Sequence, residues 1–489
     1  MGVRSRVSAL FKGPEEFDLT SGGIGKPLFF LSMPIVITNL FQTAYNLADT
    51  FWLGQYSTDA LAAISFAFPM VFLLISLGMG ISVAGSVLVA QFTGAGEERE
   101  AEYAASQTVT FAVIVSFVLG LVGYVGVDTF LSLMGASEDV LPMATSYMEV
   151  ISLGLLFMFG FFVFVALMRG YGDTITPMLV MFGSVVLNII IDPFLIFGWT
   201  VVKNAPLVGT VSFPELGIEG AAIATVFSRA LALVVGLAIM FRGTRGVQIH
   251  LRDMAPDLSY LRRLVRIGLP ASIEGTGRAL SMNLLLVIVA MFPDTVVAAY
   301  GIGTRVFSVV FLPAIAVARG VETMTGQNMG ADKPDRAAKA AGLAATVLFG
   351  VLTLAGILVW FIAAPIADLF TTNPEVVGIT TQFLRYVALS FGFIGIMRAY
   401  TGSFRGAGKT LTAAAISVLM LGIIRFPIAW FAAEPLGESG IWLSFAVSNV
   451  AGALIAYGWY RRGTWRDSNL TEAKVDVDEA GVEVSAEGD

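Results

Sequence analysis

The chain has 489 residues, of which 56% are hydrophobic and 13% charged, and it carries a formal net charge of −7. Its mean hydropathy is clearly positive, which excludes an ordinary soluble protein of this length and indicates a polytopic membrane protein. The sequence has no cysteine and a single histidine, His250, which excludes disulfides, thiol chemistry and a histidine metal cluster.

Residues 1–26 are polar and lack the apolar core of a cleavable signal peptide, so we expect a cytoplasmic N-terminal segment. After it come apolar runs long enough to cross about 30 Å of hydrocarbon, which takes about 20 helical residues. Runs of this length predict helices, because barrel strands are short and alternate in polarity. The predicted spans are 27–53, 60–90, 104–127, 143–168, 176–199, 217–241, 266–291, 297–327, 338–362, 378–404, 411–431 and 440–460.

The two sets of six spans are copies of one unit. From Pro34 to Thr174 the sequence matches itself without a gap at an offset of 236 residues, so that Pro34 corresponds to Pro270. Gln91-Phe-Thr-Gly-Ala likewise corresponds to Gln327-Asn-Met-Gly-Ala. The predicted organisation is a first lobe at 27–241, a cytoplasmic link at 242–265, a second lobe at 266–462 and an acidic tail at 463–489 that we expect to be disordered.

Lysine and arginine fix the orientation of the spans. Six arginines lie between Arg242 and Arg266, whereas the loops on the opposite side contain only Lys203. The positive-inside rule therefore predicts that both termini are cytoplasmic. An even number of spans in each copy makes the repeats parallel. The predicted fold is all-α, with twelve transmembrane helices in two parallel six-helix repeats.

A glycine-rich segment, Gly406-Ala-Gly-Lys-Thr410, resembles the end of a phosphate-binding loop but lacks the first glycine of that motif, since position 403 is serine. Its repeat counterpart is Gly170-Tyr-Gly-Asp-Thr, with Asp173 in place of the lysine. We interpret both as tight turns that open a helix, with Asp173 as a helix cap. Nucleotide and nucleic-acid binding are therefore not expected.

Ionisable residues inside membrane spans are costly and each requires a hypothesis. Several have a local partner one helical turn away or a counterpart of opposite charge at the same repeat position. We interpret three such pairs as structural or gating pairs: Glu274 with Arg278, Arg319 with Glu322, and Glu149 with Arg385. Arg305, Arg398 and Arg425 have no evident local partner in the sequence and receive no assigned role.

A separate polar group breaks the symmetry of the repeat. Asp49, Asn188 and Asp192 correspond to the apolar residues Leu285, Ile424 and Ile428, so the scaffold does not need polar groups there. Asn188 and Asp192 share one helix face, and Asp49 and Thr225 are expected at a similar depth. Carboxylate, amide and hydroxyl oxygens suit Na⁺, and buried carboxylates also suit proton exchange. A hydrogen-bond network that only stabilises the helices is the alternative.

These residues lie in segments that resemble the multidrug and toxic compound extrusion (MATE) family, in its prokaryotic DinF-like branch. The resemblance rests on Asn46-Leu-Ala-Asp-Thr-Phe-Trp-Leu-Gly, Gln91-Phe-Thr-Gly-Ala-Gly, Arg169-Gly-Tyr-Gly-Asp-Thr-Ile-Thr-Pro and Asn188-Ile-Ile-Ile-Asp-Pro, and it covers about residues 20–462. It implies a V-shaped, two-lobed, cation-coupled drug efflux antiporter. It also implies that Asp49, Asn188, Asp192 and Thr225 respond to the cation and that Pro34 lets the first helix bend.

The predicted function is export of amphipathic, often cationic compounds in exchange for Na⁺ or H⁺, by a monomer in the plasma membrane without a cofactor. Candidate residues of the substrate pocket are Gln42, Tyr45 and Met181. A flippase for lipid-linked saccharides or other lipids is the alternative, because the second-half arginines could form the basic cavity that it needs. An intramembrane enzyme is least expected, because the sequence lacks paired-acid, cysteine and histidine motifs.

Overall fold

A computed structural model describes residues 18–133, 138, 140–205 and 209–471. In the first half the helices are α1 (Gly25–Tyr56), α2 (Thr58–Ala95), α3 (Glu98–Leu133), α4 (Leu141–Leu153), α5 (Leu155–Tyr171), α6 (Ile175–Phe197) and α7 (Gly217–Arg242). In the second half they are α8 (Leu258–Val289), α9 (Asp294–Gly330), α10 (Pro334–Asp368), α11 (Pro374–Ala388), α12 (Phe391–Gly406), α13 (Thr410–Val418), α14 (Phe426–Leu436) and α15 (Glu438–Arg461).

The predicted membrane fold is confirmed. Among the described residues, ten helical segments are each long and apolar enough to cross a membrane, and two bent helix pairs each make a further span. Together they give the twelve spans expected from the sequence. Much of the predicted acidic tail, from residue 472 onwards, lies outside the described residues, as do residues 1–17.

The fourth span of each half is bent, which the sequence did not predict. The angle is 53° between α4 and α5 and 49° between α11 and α12. The breaks lie at Gly154 and Ser390, which occupy the same repeat position. Neither break contains a proline. At the second, the Ser390 hydroxyl donates to the carbonyl oxygen of Val387 at 2.7 Å and so competes with the helical hydrogen bonds.

Two further departures from regular helix were not predicted. Strands β1 (Trp199–Ala205) and β2 (Gly209–Phe213) form an antiparallel hairpin between α6 and α7, with Trp199 opposite Phe213. The hairpin occupies the segment that the sequence marks only as a loop between two spans. In the second half, a π-helical segment, Leu419–Arg425, joins α13 to α14 within one span.

The glycine-rich turns open helices as predicted. Gly172 ends α5 with a φ of 110°, in the left-handed region, which is unfavourable for residues that carry a side chain. The Asp173 carboxylate then accepts hydrogen bonds from the backbone N–H groups of Ile175 and Thr176 at 3.1 and 2.9 Å. These contacts confirm that Asp173 caps α6. The corresponding turn in the second half contains Gly408, with a φ of 77°.

Contacts between helices divide the chain into two compact units that interleave along the sequence. The N-terminal unit comprises Ile37–Ser86 and Glu102–Gly268. The C-terminal unit comprises the described residues up to Val36, Val87–Ala101 and the described residues from Leu269 onwards. Helices α1 and α2 therefore each contribute to both units. The boundaries at Val36 and Leu269 lie beside the repeat-related prolines Pro34 and Pro270.

Inside the C-terminal unit, the repeated glutamine–glycine segments pack on each other reciprocally. A Cβ atom added to Gly94 would lie 1.9 Å from the carbonyl oxygen of Gln327, and one added to Gly330 would lie 1.8 Å from that of Gln91. The Gln91 amide also donates to the carbonyl oxygen of Gly406 at 2.9 Å. The motif shared by the two copies is thus a helix-crossing contact that requires glycine.

The segment before α1 is held by the second half of the chain. The Arg336 guanidinium donates to the carbonyl oxygens of Leu19 and Gly22, the latter at 2.7 Å, and the Asn328 amide donates to that of Leu19 at 3.0 Å. Hydrogen bonds from the hydroxyls of Ser21 and Thr20 lower the pKa of Asp18 to about 2. The chain entering α1 is therefore fixed to α9 and α10.

In the N-terminal unit, the link after α7 packs against α3. The Gln107 amide donates to the carbonyl oxygens of Asp253 and Ala255 at 2.6 and 2.8 Å. Asp257 caps α8 through the backbone N–H of Ser259 at 2.8 Å. A hydrogen bond from the Ser259 hydroxyl lowers the pKa of Asp257. The link predicted at 242–265 thus has a defined structure along its length.

Candidate functional site

Helices α1, α6 and α7 bring the predicted polar residues together inside the N-terminal unit. Asn188 and Asp192 lie one turn apart on α6, and the Asn188 amide donates to one Asp192 carboxylate oxygen at 3.0 Å. The side chains of Asp49, Asn188, Asp192 and Thr225 are all buried, with exposed fractions of 5%, 1%, 0% and 2%. These four residues form the polar cluster. It lies at membrane depth, where each polar atom needs a partner.

The two acids of the polar cluster lie close enough to interact electrostatically. Ionised carboxylates are acceptors only, so neither can satisfy the other. Three buried oxygens of the cluster have no hydrogen-bond donor in the described part of the chain: Asp49 Oδ1, Asp192 Oδ2 and Asn188 Oδ1. A proton or a small hard cation would satisfy these oxygens, and the arrangement is suited to holding either one.

Thr225 joins the cluster through Tyr45. The hydroxyls of Tyr45 and Thr225 are 2.5 Å apart, and Tyr45 lies close enough to Asp49 to interact with it electrostatically. Tyr45 itself is buried, with 7% of its surface exposed. The Thr225 oxygen is therefore already bonded to a neighbouring hydroxyl.

The three candidate pocket residues all contact one side chain, Arg229 of α7. Its guanidinium donates to Gln42 Oε1 at 2.8 Å and lies 2.8 Å from Met181 Sδ. The same group lies 5.2 Å from the ring centroid of Tyr45. Within the described ranges no carboxylate oxygen is within 4.0 Å of it, so Arg229 makes no direct ion pair with Asp192.

Two further residues lie near the cluster, of which sequence reasoning indicated Arg229 and missed Tyr147. Arg229 is buried, with 3% of its surface exposed, and lies close enough to influence Asp49 electrostatically. Tyr147 of α4 is 6% exposed and adjoins both acids. The spacing of Arg229, four residues after Thr225, indicated that the arginine could approach Asp192, but not that it would contact Gln42 and Met181. The sequence offers no comparable signal for Tyr147.

The predicted charge pairs of the second half form one network. Glu274 and Arg278 are 3.3 Å apart, and Arg319 and Glu322 are 2.9 Å apart. Arg405 links the pairs, at 3.1 Å from Glu274 and 3.2 Å from Glu322. Arg405 received no charge partner from the sequence, so its place in the network was missed.

The remaining predicted pair is not brought together within either unit. Glu149 belongs to the N-terminal unit and Arg385 to the C-terminal unit. Arg385 makes local contacts, since its Nε donates to the carbonyl oxygen of Trp360 at 3.3 Å and its guanidinium lies 5.1 Å from the centroid of the Trp360 ring.

Pro34 lies within the continuous helix α1, two residues before the unit boundary.

A family model described as MatE matches residues 34–194 and 270–431. The chain belongs to the MATE family. The matched blocks begin at Pro34 and Pro270, in agreement with the internal repeat, and cover most of both halves. The resemblance inferred from the sequence motifs is therefore confirmed, and the chain is a multi-pass membrane protein of this transporter family.

Several curated relatives cover nearly the whole chain. The "FAD transporter" of Shewanella oneidensis is 28% identical over 443 residues, which is 91% of this chain and 96% of that protein. The "Probable multidrug resistance protein YoeA" of Bacillus subtilis is 28% identical over 459 residues, with the same two coverages. The "Probable multidrug resistance protein NorM" of Thermotoga maritima is 27% identical, with coverages of 92% and 96%.

Solved structures show the same fold. The Vibrio cholerae MATE transporter VcmN in the bent form superimposes with a TM-score of 0.83 at 24% identity, and covers 91% of this chain and 98% of that one. An outward-facing multidrug resistance MATE family transporter of the MOP superfamily also gives a TM-score of 0.83 at 24% identity, with coverages of 92% and 98%.

Proposed function

We propose that this chain is a secondary active antiporter that exports amphipathic, often cationic compounds in exchange for Na⁺ or H⁺. Relatives named as multidrug resistance proteins support the export of drug-like compounds. One relative is named an FAD transporter, so the choice of substrate is part of the proposal. The proposed location is the plasma membrane with both termini in the cytoplasm, supported by the side on which lysine and arginine lie.

The observation that carries the proposal is the group of three donor-free oxygens in the polar cluster. Asp49 and Asp192 would repel each other if both were ionised and empty, and burial increases that repulsion. A cation arriving between them would remove the repulsion and supply the missing partner. Because Asn188 and Asp192 correspond to isoleucines in the second copy, this chemistry belongs to one half only.

Cation binding would reach the substrate pathway through α1. Asp49 is on α1, and the same helix passes from one packing unit to the other beside Pro34. Proline lacks a backbone N–H, so bending at this point costs fewer hydrogen bonds than elsewhere in a helix. Export then requires that the two conformations of the transporter bind the cation with different affinities.

The test is dye efflux from proteoliposomes. Proteoliposomes that contain the purified protein are loaded with a fluorescent cationic dye, and a Na⁺ or H⁺ gradient is imposed. Asp49→Asn and Asp192→Asn are each expected to abolish gradient-driven efflux. Both variants should remain folded and bind dye, because the amide keeps the shape and removes a buried charge. Asp59→Asn, at an exposed aspartate of α2, is the matched control and should transport normally.

The gradient arms identify the ion. Sodium-dependent efflux at fixed pH indicates Na⁺, whereas efflux that follows the pH gradient and ignores sodium indicates H⁺. Normal efflux by the Asp49→Asn, Asp192→Asn double variant under both gradients would show that the polar cluster does not couple transport.

A further inference from the structure

We infer that the C-terminal unit binds a small organic anion with an aromatic body. The unit contains a cavity of about 250 Å³. Three arginines line it: Arg278, Arg398 and Arg425. Its aromatic side chains include Phe307, Phe311 and Phe445. The lining contains no aspartate or glutamate. All of the lining residues lie within 278–445, so the cavity belongs to this unit alone.

Among the described residues, two of the arginines are buried with no carboxylate oxygen within 4.0 Å. Arg425 is 8% exposed and donates only to neutral groups, the Ser448 hydroxyl at 2.9 Å and the Asn449 amide oxygen at 2.8 Å. Arg398 is 6% exposed, and its buried Nε has no acceptor among the residues that the structure describes. A buried charge without a counterion is strongly unfavourable, so a bound anion would stabilise both side chains.

The neighbouring ion-pair network does not neutralise the cavity. Arg278 lies 3.3 Å from Glu274, but Glu274 also pairs with Arg405 at 3.1 Å. Two glutamates in this region therefore serve three arginines, and Arg398 and Arg425 add two further positive charges. The cavity wall carries an excess of positive charge.

The serine and threonine hydroxyls of the wall are already bonded. The hydroxyls of Ser281, Thr304 and Ser308 donate to backbone carbonyl oxygens of their own helices, at 2.8, 2.9 and 2.8 Å. This leaves the guanidinium groups, together with the Tyr300 hydroxyl, as the donors for a ligand. Guanidinium binds carboxylate and other oxyanions in two-point geometry, which selects an anionic head group.

The remainder of the wall selects the body of the ligand. The Arg425 guanidinium lies 4.3 Å from the ring centroid of Phe445, and that of Arg398 lies 5.1 Å from that of Phe311. A flat ring fits beside these rings with its anionic group on the arginines. The volume of about 250 Å³ lies just below the usual range for ligand pockets, which is roughly 300 to 1,000 Å³. It suits one or two fused rings with a single acid group.

The repeat indicates that the arginines are not needed by the scaffold. At the same offset, Arg278, Arg398 and Arg425 correspond to Gln42, Phe162 and Ile189 in the first copy. Arg425 also ends the π-helical segment Leu419–Arg425, two more residues of which line the cavity, Met420 and Leu421. Such segments re-aim side chains within a helix and are frequent at functional sites.

This site is separate from cation coupling and can be tested by binding alone. The full-length protein in an uncharged detergent is titrated calorimetrically with 2-naphthoate, and in parallel with the trimethyl-(2-naphthyl)ammonium cation, which has the same ring and the opposite charge. We expect saturable binding of 2-naphthoate and none of the cation at matched concentration. Arg398→Gln and Arg425→Gln should each weaken 2-naphthoate at least tenfold, because each removes a charged hydrogen-bond donor.

Arg385→Gln is the control, since Arg385 is an arginine of the same unit outside the cavity, and it should leave binding unchanged. If the buried variants fail to fold, Met282→Glu places a carboxylate on the wall at a residue that is 52% exposed, and it should abolish binding by occupying the arginines. Equal affinity for the two naphthyl ions, or unchanged affinity in the arginine variants, would overturn the inference.

A lipid head group presents similar anionic chemistry, so a separate experiment must distinguish lipid from a soluble anion. The titration is repeated in nanodiscs of neutral lipid with and without phosphatidylglycerol. Unchanged binding of 2-naphthoate supports a site for soluble anions. If phosphatidylglycerol displaces 2-naphthoate, and this displacement is lost in Arg425→Gln, the site is a lipid site and the proposal is overturned.

Discussion

The hydroxyl of Tyr45 stands between Thr225 and the acids of the polar cluster. Thr225 is bonded to Tyr45 at 2.5 Å, and Tyr45 in turn lies close enough to Asp49 to interact with it electrostatically. The threonine can therefore influence cation binding by orienting Tyr45, which differs from direct ligation. Residues that act through one shared hydrogen bond give non-additive effects when both are changed.

A double-mutant cycle on this pair distinguishes the two roles. If coupling uses Na⁺, we expect Tyr45→Phe and Thr225→Val each to raise the sodium concentration for half-maximal efflux by several-fold, and the double variant to be no worse than either single one. The measurement is dye efflux against external sodium at fixed pH. Additive losses in the double variant would show instead that each oxygen acts separately.

Arg405 is the residue on which the charge network of the second half depends. It is 6% exposed and contacts two buried glutamates, whereas their other partners, Arg278 and Arg319, are partly exposed. Removing one member of a buried ion pair costs roughly 3–5 kcal/mol because the partner stays charged. Each glutamate here keeps one arginine, so the cost should fall at the lower end of that range.

We therefore expect Arg405→Met to lower the apparent Tm of the detergent-solubilised protein markedly, as measured by tryptophan fluorescence. Adding Glu274→Gln and Glu322→Gln should not recover the loss, because Arg278 and Arg319 would then lose these ion-pair partners. Arg461→Ala, at an exposed arginine bonded to the Tyr457 hydroxyl, should leave the Tm almost unchanged. A Tm for Arg405→Met equal to that of the wild type would contradict this role.

At the scale of helices, the reciprocal glycine contact holds α2 against α9. A methyl group at Gly94 or Gly330 would lie within 2 Å of a carbonyl oxygen, so the backbones must separate. Gly94→Ala and Gly330→Ala should each lower the apparent Tm and the yield of monodisperse protein. Gly342→Ala in α10 is the control, because nothing lies within 4 Å of its added Cβ and alanine favours the helix by up to about 1 kcal/mol. Equal stability of all three variants would refute the crossing.

The helices and the repeat could be predicted from the sequence because hydrophobic length and an ungapped self-match report on them directly. The bends at Gly154 and Ser390 could not, because neither break contains a proline, which is the usual sequence signal of a kink. The hairpin was missed because a short loop strand pairs locally without a long hydrophobic signal. The π-helical segment before Arg425 likewise leaves the composition of its span unchanged.

The polar cluster was predictable because its members interrupt the repeat with costly groups. Their common location on α1, α6 and α7 followed from spacing and depth. The contacts of Arg229, Tyr147 and Arg405 were not predictable, because they depend on which helices are neighbours. Spacing along one helix finds partners such as Glu274 and Arg278, but it does not find partners on different helices.

For the whole molecule, orientation in the membrane is the prediction that can be measured most directly. The chain has no cysteine, so single cysteines can be introduced without altering the background. Thr244→Cys, at an exposed site in the link, should react only after the membrane is made permeable, and Thr372→Cys, at an exposed site on the predicted outer side, should react in intact cells. Membrane-impermeant maleimide labelling gives the readout, and the reverse pattern would invert the topology.

The interleaving of the two packing units sets the order in which the protein can be completed during synthesis. Leu19 emerges from the ribosome early, but its hydrogen-bond partner Asn328 follows 309 residues later. At the usual 5–20 residues per second, this is a delay of roughly 15–60 seconds. The start of α1 and the end of α2 are therefore inserted before their packing partners have been synthesised, and their packing surfaces are exposed during that interval. These surfaces are covered only when the second half is inserted. In a nascent chain stalled before α9, the start of α1 and the end of α2 would both lack their packing partners.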